Sequence, residues 1–245
     1  MTRIEGHMGE LMQGRLGGDV ALITLPCPAL AVTATHRPGP FALRGARVIR
    51  PAVARAVRRT GIWHLRADMP AGGGAGSSTA AILAMAGRGD PDALAALCLR
   101  LEGAVDPLMH PRPERLLWAS RRAVVLRALP PLPPMRIVGG FLGAGERTDP
   151  ADTRFPDIAD LVAAWCADPS LATVARLAST SAARTQALRG PAQDPTPFLP
   201  ALGWARAHTG PARALILPPE ADPTPARRAM REAGFRHIVS FPVRG

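Results

Sequence analysis

Three stretches of this chain combine residue types and spacings that can do chemistry. They are the glycine and hydroxyl run PAGGGAGSSTAAI, Pro70 to Ile82; the amino-terminal string GHMGELMQG, Gly6 to Gly14; and the acidic pair Glu102 and Asp106 in LEGAVDPLM. Register excludes two chemistries for the glycine run. A dinucleotide fingerprint that starts at Gly72 needs Gly at position 77, where Ser stands, and one that starts at Gly74 needs Gly at 79, where Thr stands. A hydrolase elbow needs glycines two residues before and after its nucleophile, and neither Ser77 nor Ser78 has both. Two readings remain. One is a loop whose Ser77 caps the helix that follows. The other is an anion cradle, in which successive glycines let backbone N–H groups approach phosphate oxygens beside a helix N-terminus, with two hydroxyls at hand.

The composition removes further chemistries. All 30 basic residues are Arg, because the chain contains no Lys, and it lacks Asn and Tyr as well. A Walker A loop, a protein-kinase site and a pyridoxal phosphate site each need a Lys, so all three are excluded. The net charge of +11 points toward anionic partners. The arginines are scattered, however, and only four Trp and six Phe accompany them, which makes nucleic acid an unlikely main partner. Cys27, Cys98 and Cys166 are far apart and odd in number, which supports neither a disulfide framework nor a zinc site and suits a reduced cytoplasm. No segment has the length and apolarity of a signal peptide or a membrane span, so the protein is expected to be soluble, cytoplasmic and without a membrane partner.

The elements that have to position these residues follow from periodicity. ELMQGRL, DVALITL, ALAVTATHR and FALRGARV read as strands in hairpins or a meander, and PAVARAVRRTG as a short helix with Pro51 at its first position. IWHLRADM alternates, with Trp63, Leu65, Ala67 and Met69 on one face and His64, Arg66 and Asp68 on the other. One face is therefore wet, unlike the buried strand that leads into a dinucleotide turn. STAAILAMAGR reads as a helix. A second helix starts with Asp90 as N-cap and Pro91 at N1 and continues through DALAALCLRLEGAV toward Pro107. PERLLWASRR reads as a third helix and AVVLRAL as a strand. The Pro-rich LPPLPPM divides the chain into two expected domains, residues 1–133 and 134–245. Beyond it, RIVGGFLG reads as a strand, while FPDIADLVAAWCAD, SLATVARLASTSAARTQAL and PFLPALGWARAH have helical periodicity. ARALILP, TPARRAMREAGF and RHIVSFPV close the chain as β-α-β, and the whole reads as an α+β protein.

The glycine run, Pro70-x-x-x-Gly74-Ala75-Gly76-Ser77-Ser78-Thr79-Ala80, resembles the phosphate-loop motif of the GHMP kinases, P-x-x-x-G-L-G-S-S-A-A. Ala75 stands where Leu or Met is usual, and Thr79 where a small residue is usual. Gly9-Glu10-Leu11-x-Gln13-Gly14 resembles the opening of the L-threonine kinase branch of that superfamily, which serves cobalamin nucleotide-loop assembly. Further along, Asp152 and Thr153 loosely match a later segment of the pattern, and Ala207-His208-Thr209-Gly210 matches an A-H-S-G segment. Read without the resemblance, the amino-terminal string is a hairpin with glycine turns, Glu102 and Asp106 are a solvated acidic face, and His208 is structural.

The resemblance implies a two-lobed GHMP kinase fold, with a ribosomal-protein-like amino-terminal lobe that binds ATP and a ferredoxin-like α+β carboxy-terminal lobe. It implies that Gly72, Gly73, Gly74, Ala75, Gly76, Ser77, Ser78 and Thr79 bind ATP and that Ser78 and Glu102 hold Mg²⁺. Asp106 would orient or deprotonate the acceptor hydroxyl, and Glu10, Gln13 and Thr209 would contact the acceptor. If the helix persists past Glu102, Asp106 lies on the same face four residues on. The implied reaction is ATP-dependent phosphorylation of a small molecule, L-threonine on the closest motif match. Alternatives are a homoserine-like acceptor, a nucleotide-binding relative without turnover, and an RNA-binding α+β domain.

Overall fold

The structure is a computed structural model that describes residues 1–191 and 193–244. The chain opens with two long strands, β1 (Thr2–Leu16) and β2 (Asp19–Arg37), which form an antiparallel hairpin around Gly17 and Gly18. Sequence punctuation suggested several short strands here, yet the prolines of Pro26-Cys27-Pro28 do not end β2. The register shifts between Glu5 and Gly6, and Pro28 falls within that bulge, where no ladder bond is required of it. Two further shifts, between His7 and Glu10 and between Glu10 and Met12, re-aim the side chains of β1 in its central stretch.

β3 (Ala42–Gly45) pairs in parallel with β4 (Ile62–Ala67), and α1 (Pro51–Val57) connects them. β4 has the expected wet face, with Trp63 and Leu65 buried and His64 and Arg66 exposed. α2 (Ser77–Ala86) is apolar on nearly every side and is correspondingly buried from Thr79 to Met85, packed on β1 and β2. α3 (Pro91–Glu102) starts as expected: Asp90 accepts a hydrogen bond from the Ala93 N–H, and Pro91 occupies the first helical position. It ends earlier than expected, because Gly103 takes a left-handed conformation at φ +72° and closes the helix.

PERLLWASRR is not a helix. A single 3-10 turn at Pro113–Arg115 leads into β5 (Leu116–Ala119), which pairs with β2 and with β6 (Val124–Ala128). Its contiguous Leu117, Trp118 and Ala119 are all buried, and such a short apolar run does not distinguish helix from strand. β7 (Met135–Phe141), α4 (Ala159–Ala167) and α5 (Leu171–Arg189) follow. The helix expected in PFLPALGWARAH is also absent. A 3-10 turn at Thr196–Phe198 gives way to β8 (Gly203–Arg206), whose four residues are buried beneath α5. There the Ser179 hydroxyl accepts from the Trp204 N–H at 3.0 Å. β9 (Ala212–Leu217), α6 (Thr224–Glu232) and β10 (Arg236–Val243) complete the chain.

The strands form one sheet in the order β10-β7-β9-β8-β1-β2-β4-β3, with β5 and β6 branching from β2. The connection between β6 and β7 contains the expected domain boundary, and the sheet crosses it through the pairing of Glu10 on β1 with Arg206 on β8. The main apolar core draws on residues from both sides of that boundary, and a smaller one lies under α6. The architecture is α+β, as the sequence predicts. Among the described residues, no helix is long and apolar enough to cross a membrane.

Candidate active site

The segment between β4 and α2 is the glycine run, and its conformation explains its composition. Gly72, Gly74 and Gly76 have φ of +67°, +72° and +70°, a region where side chains are strained. The carbonyls turn into the protein: Gly72 accepts from the Glu146 N–H (2.8 Å), Gly73 from Ala212 (2.9 Å), Gly74 from Gly9 (3.2 Å), Ala75 from His7 (3.2 Å) and Gly76 from Ala80 (2.9 Å). The N–H groups of residues 74 to 79 donate to no backbone carbonyl among the described residues. α2 begins at Ser77 with Gly76 as N-cap and no side-chain cap, so Ser77 is not the helix cap that one reading allowed. A row of free N–H groups and the positive end of a helix dipole therefore meet at one place.

The loop is seated tightly. A Cβ on Gly74 would lie 2.2 Å from the Ala207 Cβ and 2.6 Å from the Thr209 carbonyl oxygen, and one on Gly6 would lie 2.5 Å from the Ala75 oxygen. Gly210 of the same turn presses on Gly72 and Gly73, where its Cβ would meet the Gly72 oxygen at 2.6 Å. Ala75 is buried, consistent with a position where the family pattern has an apolar residue.

The run opens on a cleft of about 390 Å³. Gly72, Gly74, Gly76, Ser77, Ser78 and Thr79 line it, whereas Gly73 and Ala75 do not and instead hold the loop in place. Glu102, Asp106, Glu10, Gln13 and Thr209 all reach the same cleft. The segment 142–158, which is without helix or strand apart from one bridge at Asp157, adds Glu146 and Phe155 to the wall.

Glu102 and Asp106 are not on one helical face, because α3 stops at Glu102. Asp106 sits in the following loop, which is fixed on either side of it. The Val105 carbonyl accepts from the buried Trp118 Nε1 at 2.7 Å, and the Val105 N–H donates to the Ser120 carbonyl at 3.0 Å. The Asp106 carboxylate accepts from the Thr79 hydroxyl at 3.4 Å, which ties the acid to the first turn of α2.

Besides the wall residues Glu146 and Phe155, a central residue of the site escaped sequence reasoning. The imidazole of His7 is buried on β1, with Nε2 3.5 Å from Asp106 Oδ2 and Nδ1 3.7 Å from Glu10 Oε1, and Nδ1 lies 3.2 Å from the Gly9 carbonyl oxygen. Burial alone would lower the His7 pKa, but Asp106 and then Glu10 overcome it and push it up to about 9. Burial pushes Glu10 up to about 7, opposed by His7. Burial also disfavours the charged form of Asp106, but His7 and the Thr79 hydrogen bond outweigh it and hold the acid below its ordinary value. The spacing His7-x-x-Glu10 carried no recognisable signal, because a bulged strand puts three-apart residues together only through its irregularity.

A second group closes the far wall. His208 is buried and stacks on Phe155 with ring centroids 3.7 Å apart, while its N–H donates to Glu10 Oε2 at 3.2 Å. Neither ring nitrogen of His208 has a partner among the described residues, and burial and then Arg189 hold it down to about 3. The guanidiniums of Arg189 and Arg121 also lie over the Phe155 ring, 5.4 and 6.0 Å from its centroid, and Arg189 pairs with Asp152 at 2.5 Å.

No protein-family model matches the chain, and neither does any curated protein sequence. Solved structures do match over nearly the whole chain. A phosphotransferase related to the CoA biosynthesis pathway superposes with a TM-score of 0.65 at 14% identity, covering 98% of this chain and 94% of its own. The homoserine kinase from Cytophaga hutchinsonii gives 0.62 at 14%, covering 99% and 94%, and a mevalonate kinase gives 0.62 at 9%, covering 98% and 97%. The glycine run, the bulged β1 and the single curled sheet are thus arranged on the fold of the GHMP kinases.

Proposed function

We propose that the chain transfers the γ-phosphoryl group of ATP to the hydroxyl of a small acceptor, with L-threonine as the preferred acceptor and O-phospho-L-threonine, for cobalamin nucleotide-loop assembly, as the product. The observation that carries this reading is the orientation of the glycine run. Its carbonyls are consumed by the protein and its N–H groups are left for an anion, directly beside Asp106. Such a cradle needs no Lys. The donor set also suits Mg²⁺, a hard cation that prefers oxygen, since Ser78 and Glu102 both reach the cleft. Bound there, Mg²⁺ would neutralise charge on the β- and γ-phosphates.

The residues of the chain would then divide the work. The N–H groups of residues 74 to 79 hold the phosphates, and Thr79 serves Asp106 as well as the cradle. Asp106 orients the acceptor hydroxyl and takes its proton as the new O–P bond forms, and the bond to the β-phosphate oxygen breaks to release ADP. Catalysis of this kind is positioning plus electrostatics, which is what a rigid loop and a fixed acid supply. Gln13, whose side-chain oxygen is buried without a hydrogen-bond partner among the described residues, would meet the acceptor. The motif Gly9-Glu10-Leu11-x-Gln13-Gly14 supports threonine, and the overlap with a homoserine kinase supports the second reading, a homoserine-like acceptor.

The test is ADP release from ATP and Mg²⁺ with L-threonine, L-homoserine or mevalonate, repeated with Ser78→Ala. Threonine-dependent release that falls about 100-fold or more in Ser78→Ala is the expected result. Turnover of homoserine with none of threonine would sink the threonine assignment, and turnover of no hydroxyl acceptor would sink the kinase reading.

A further inference from the structure

The imidazole of His7 faces two carboxylates, one from each nitrogen, at ion-pair and not hydrogen-bond distance. Nδ1 meets the Gly9 carbonyl oxygen and has Glu10 Oε1 beyond it, while Nε2 faces Asp106 Oδ2. A neutral imidazole carries one N–H, so one nitrogen would present a lone pair to an acceptor; only the imidazolium is a donor at both. The three side chains do bring ligand atoms within 4.8 Å of one another, which invites a metal reading. Nδ1, however, is already turned to the Gly9 carbonyl oxygen, which engages that nitrogen as a donor and not as a lone pair for an ion.

Two carboxylates this close, Glu10 buried and Asp106 only partly so, do not both ionise readily without a cation beside them; unscreened, one would hold a proton and lose its use as a proton acceptor. The chain has no Lys to supply that cation. Two guanidiniums also act on the acids, Arg121 on Asp106 and Arg206 on Glu10, but after His7 in each case.

We infer that His7 is the resident cation of the site, a positioning residue that as an imidazolium pairs with both Glu10 and Asp106 and keeps Asp106 ionised and aimed at the acceptor hydroxyl. During transfer the hydroxyl proton passes to Asp106 and leaves for solvent with the product, and His7 holds its own proton throughout. This role rests on the phosphoryl-transfer reading only for its kinetic consequence; the ion triad itself stands without it.

The experiment has two arms. In the first, the histidine side chains of the full-length protein are titrated by NMR, and the His7 signal is assigned by its absence from His7→Gln. In the parent it titrates well above the ordinary histidine range, and in Asp106→Asn its midpoint falls by about one pH unit or more. A midpoint at or below 6.5, or one that Asp106→Asn leaves in place, overturns the triad. In the second arm, pH profiles of kcat/KM are compared for parent and His7→Gln with whichever hydroxyl acceptor turns over. The acid limb, which reports protonation of Asp106, moves to higher pH by about one unit in His7→Gln. Equal loss at every pH, with the limb unmoved, shows a structural role only and overturns the positioning role. Absence of turnover with any acceptor in the parent overturns the kinetic role together with the kinase reading, and the first arm still decides the triad.

Discussion

Gly74→Ala puts the geometry of the glycine run to a quantitative test. The added methyl group meets two obstacles. Gly74 sits at φ +72°, where an L side chain costs about 1–2 kcal/mol. Its Cβ would also come within 2.2 Å of the Ala207 Cβ and 2.6 Å of the Thr209 oxygen, below the 3.0 Å that real Cβ contacts respect. The loop or the 207–210 turn must therefore give way by about 1 Å, and overpacking of that kind costs about 1–3 kcal/mol. Together the two effects predict a loss of about 2–5 kcal/mol. Gly17→Ala is the matched control. It has φ +59° and nothing within 4 Å, so it pays only the backbone cost of about 1–2 kcal/mol. Urea unfolding measures both, and calorimetric titration with Mg-ATP measures the cradle. Displaced N–H groups should weaken nucleotide binding about tenfold or more in Gly74→Ala, a change of about 1.4 kcal/mol, and not at all in Gly17→Ala. Equal destabilisation of the two variants, with parental nucleotide affinity in both, would refute the tight seat.

Further outcomes follow from the walls of the cleft. Asp106→Asn keeps the shape of the acid but not its charge, so kcat should fall by about 10²–10⁴ with ATP affinity retained, as ADP release and binding assays together will report. Unchanged turnover would favour a nucleotide-binding relative in which Asp106 has no catalytic part. Trp118→Phe removes the 2.7 Å hydrogen bond to the Val105 carbonyl and should cost about 1–3 kcal/mol in urea unfolding, with kcat reduced more than KM is raised. A change in KM alone would show that this bond does not steady Asp106. His208 gives a pH signature: the unfolded chain takes up a proton near 6.5 that the folded chain refuses until about 3. Relative to His208→Gln, the parent therefore loses up to about 1.4 kcal/mol of stability per unit as pH falls through that window. Glu10, held up to about 7, acts in the opposite sense, so the two proteins are compared at each pH; parallel curves would count against a buried neutral His208.

The legible parts of the sequence were those in which one local rule decides the outcome. Asp90 and Pro91 announced α3, the alternation of Trp63 to Met69 announced the wet face of β4, and the glycine run announced a loop that only positive φ angles can form. The misread parts depended on partners distant in sequence. Leu117-Trp118-Ala119 is a strand because Ala21 and Leu22 of β2 offer it an edge, and Gly203 to Arg206 is a strand because β1 and β9 flank it. The segment around Asp106 turned on Gly103, a helix stop that the apolar run before it concealed. His7 was illegible for a different reason. Its neighbours in the site come from β1 itself and from a loop about a hundred residues away, joined by a bulge that no periodicity records.

β1 is continuous from the edge of the hairpin to its junction with β8, and it carries Gly6, His7, Gly9, Glu10 and Gln13 along a single strand. The backbone that grips the glycine run at Gly74 and Ala75 is therefore the same backbone that presents two of the charged groups and the Gln13 amide. A molecule built this way has His7, Glu10 and Gln13 mounted on one beam, and relative motion of its halves would bend that beam instead of swinging a door. Of the walls of the cleft, the segment 142–158 is the longest stretch with neither helix nor strand, and it is where freedom to admit a small acceptor is expected.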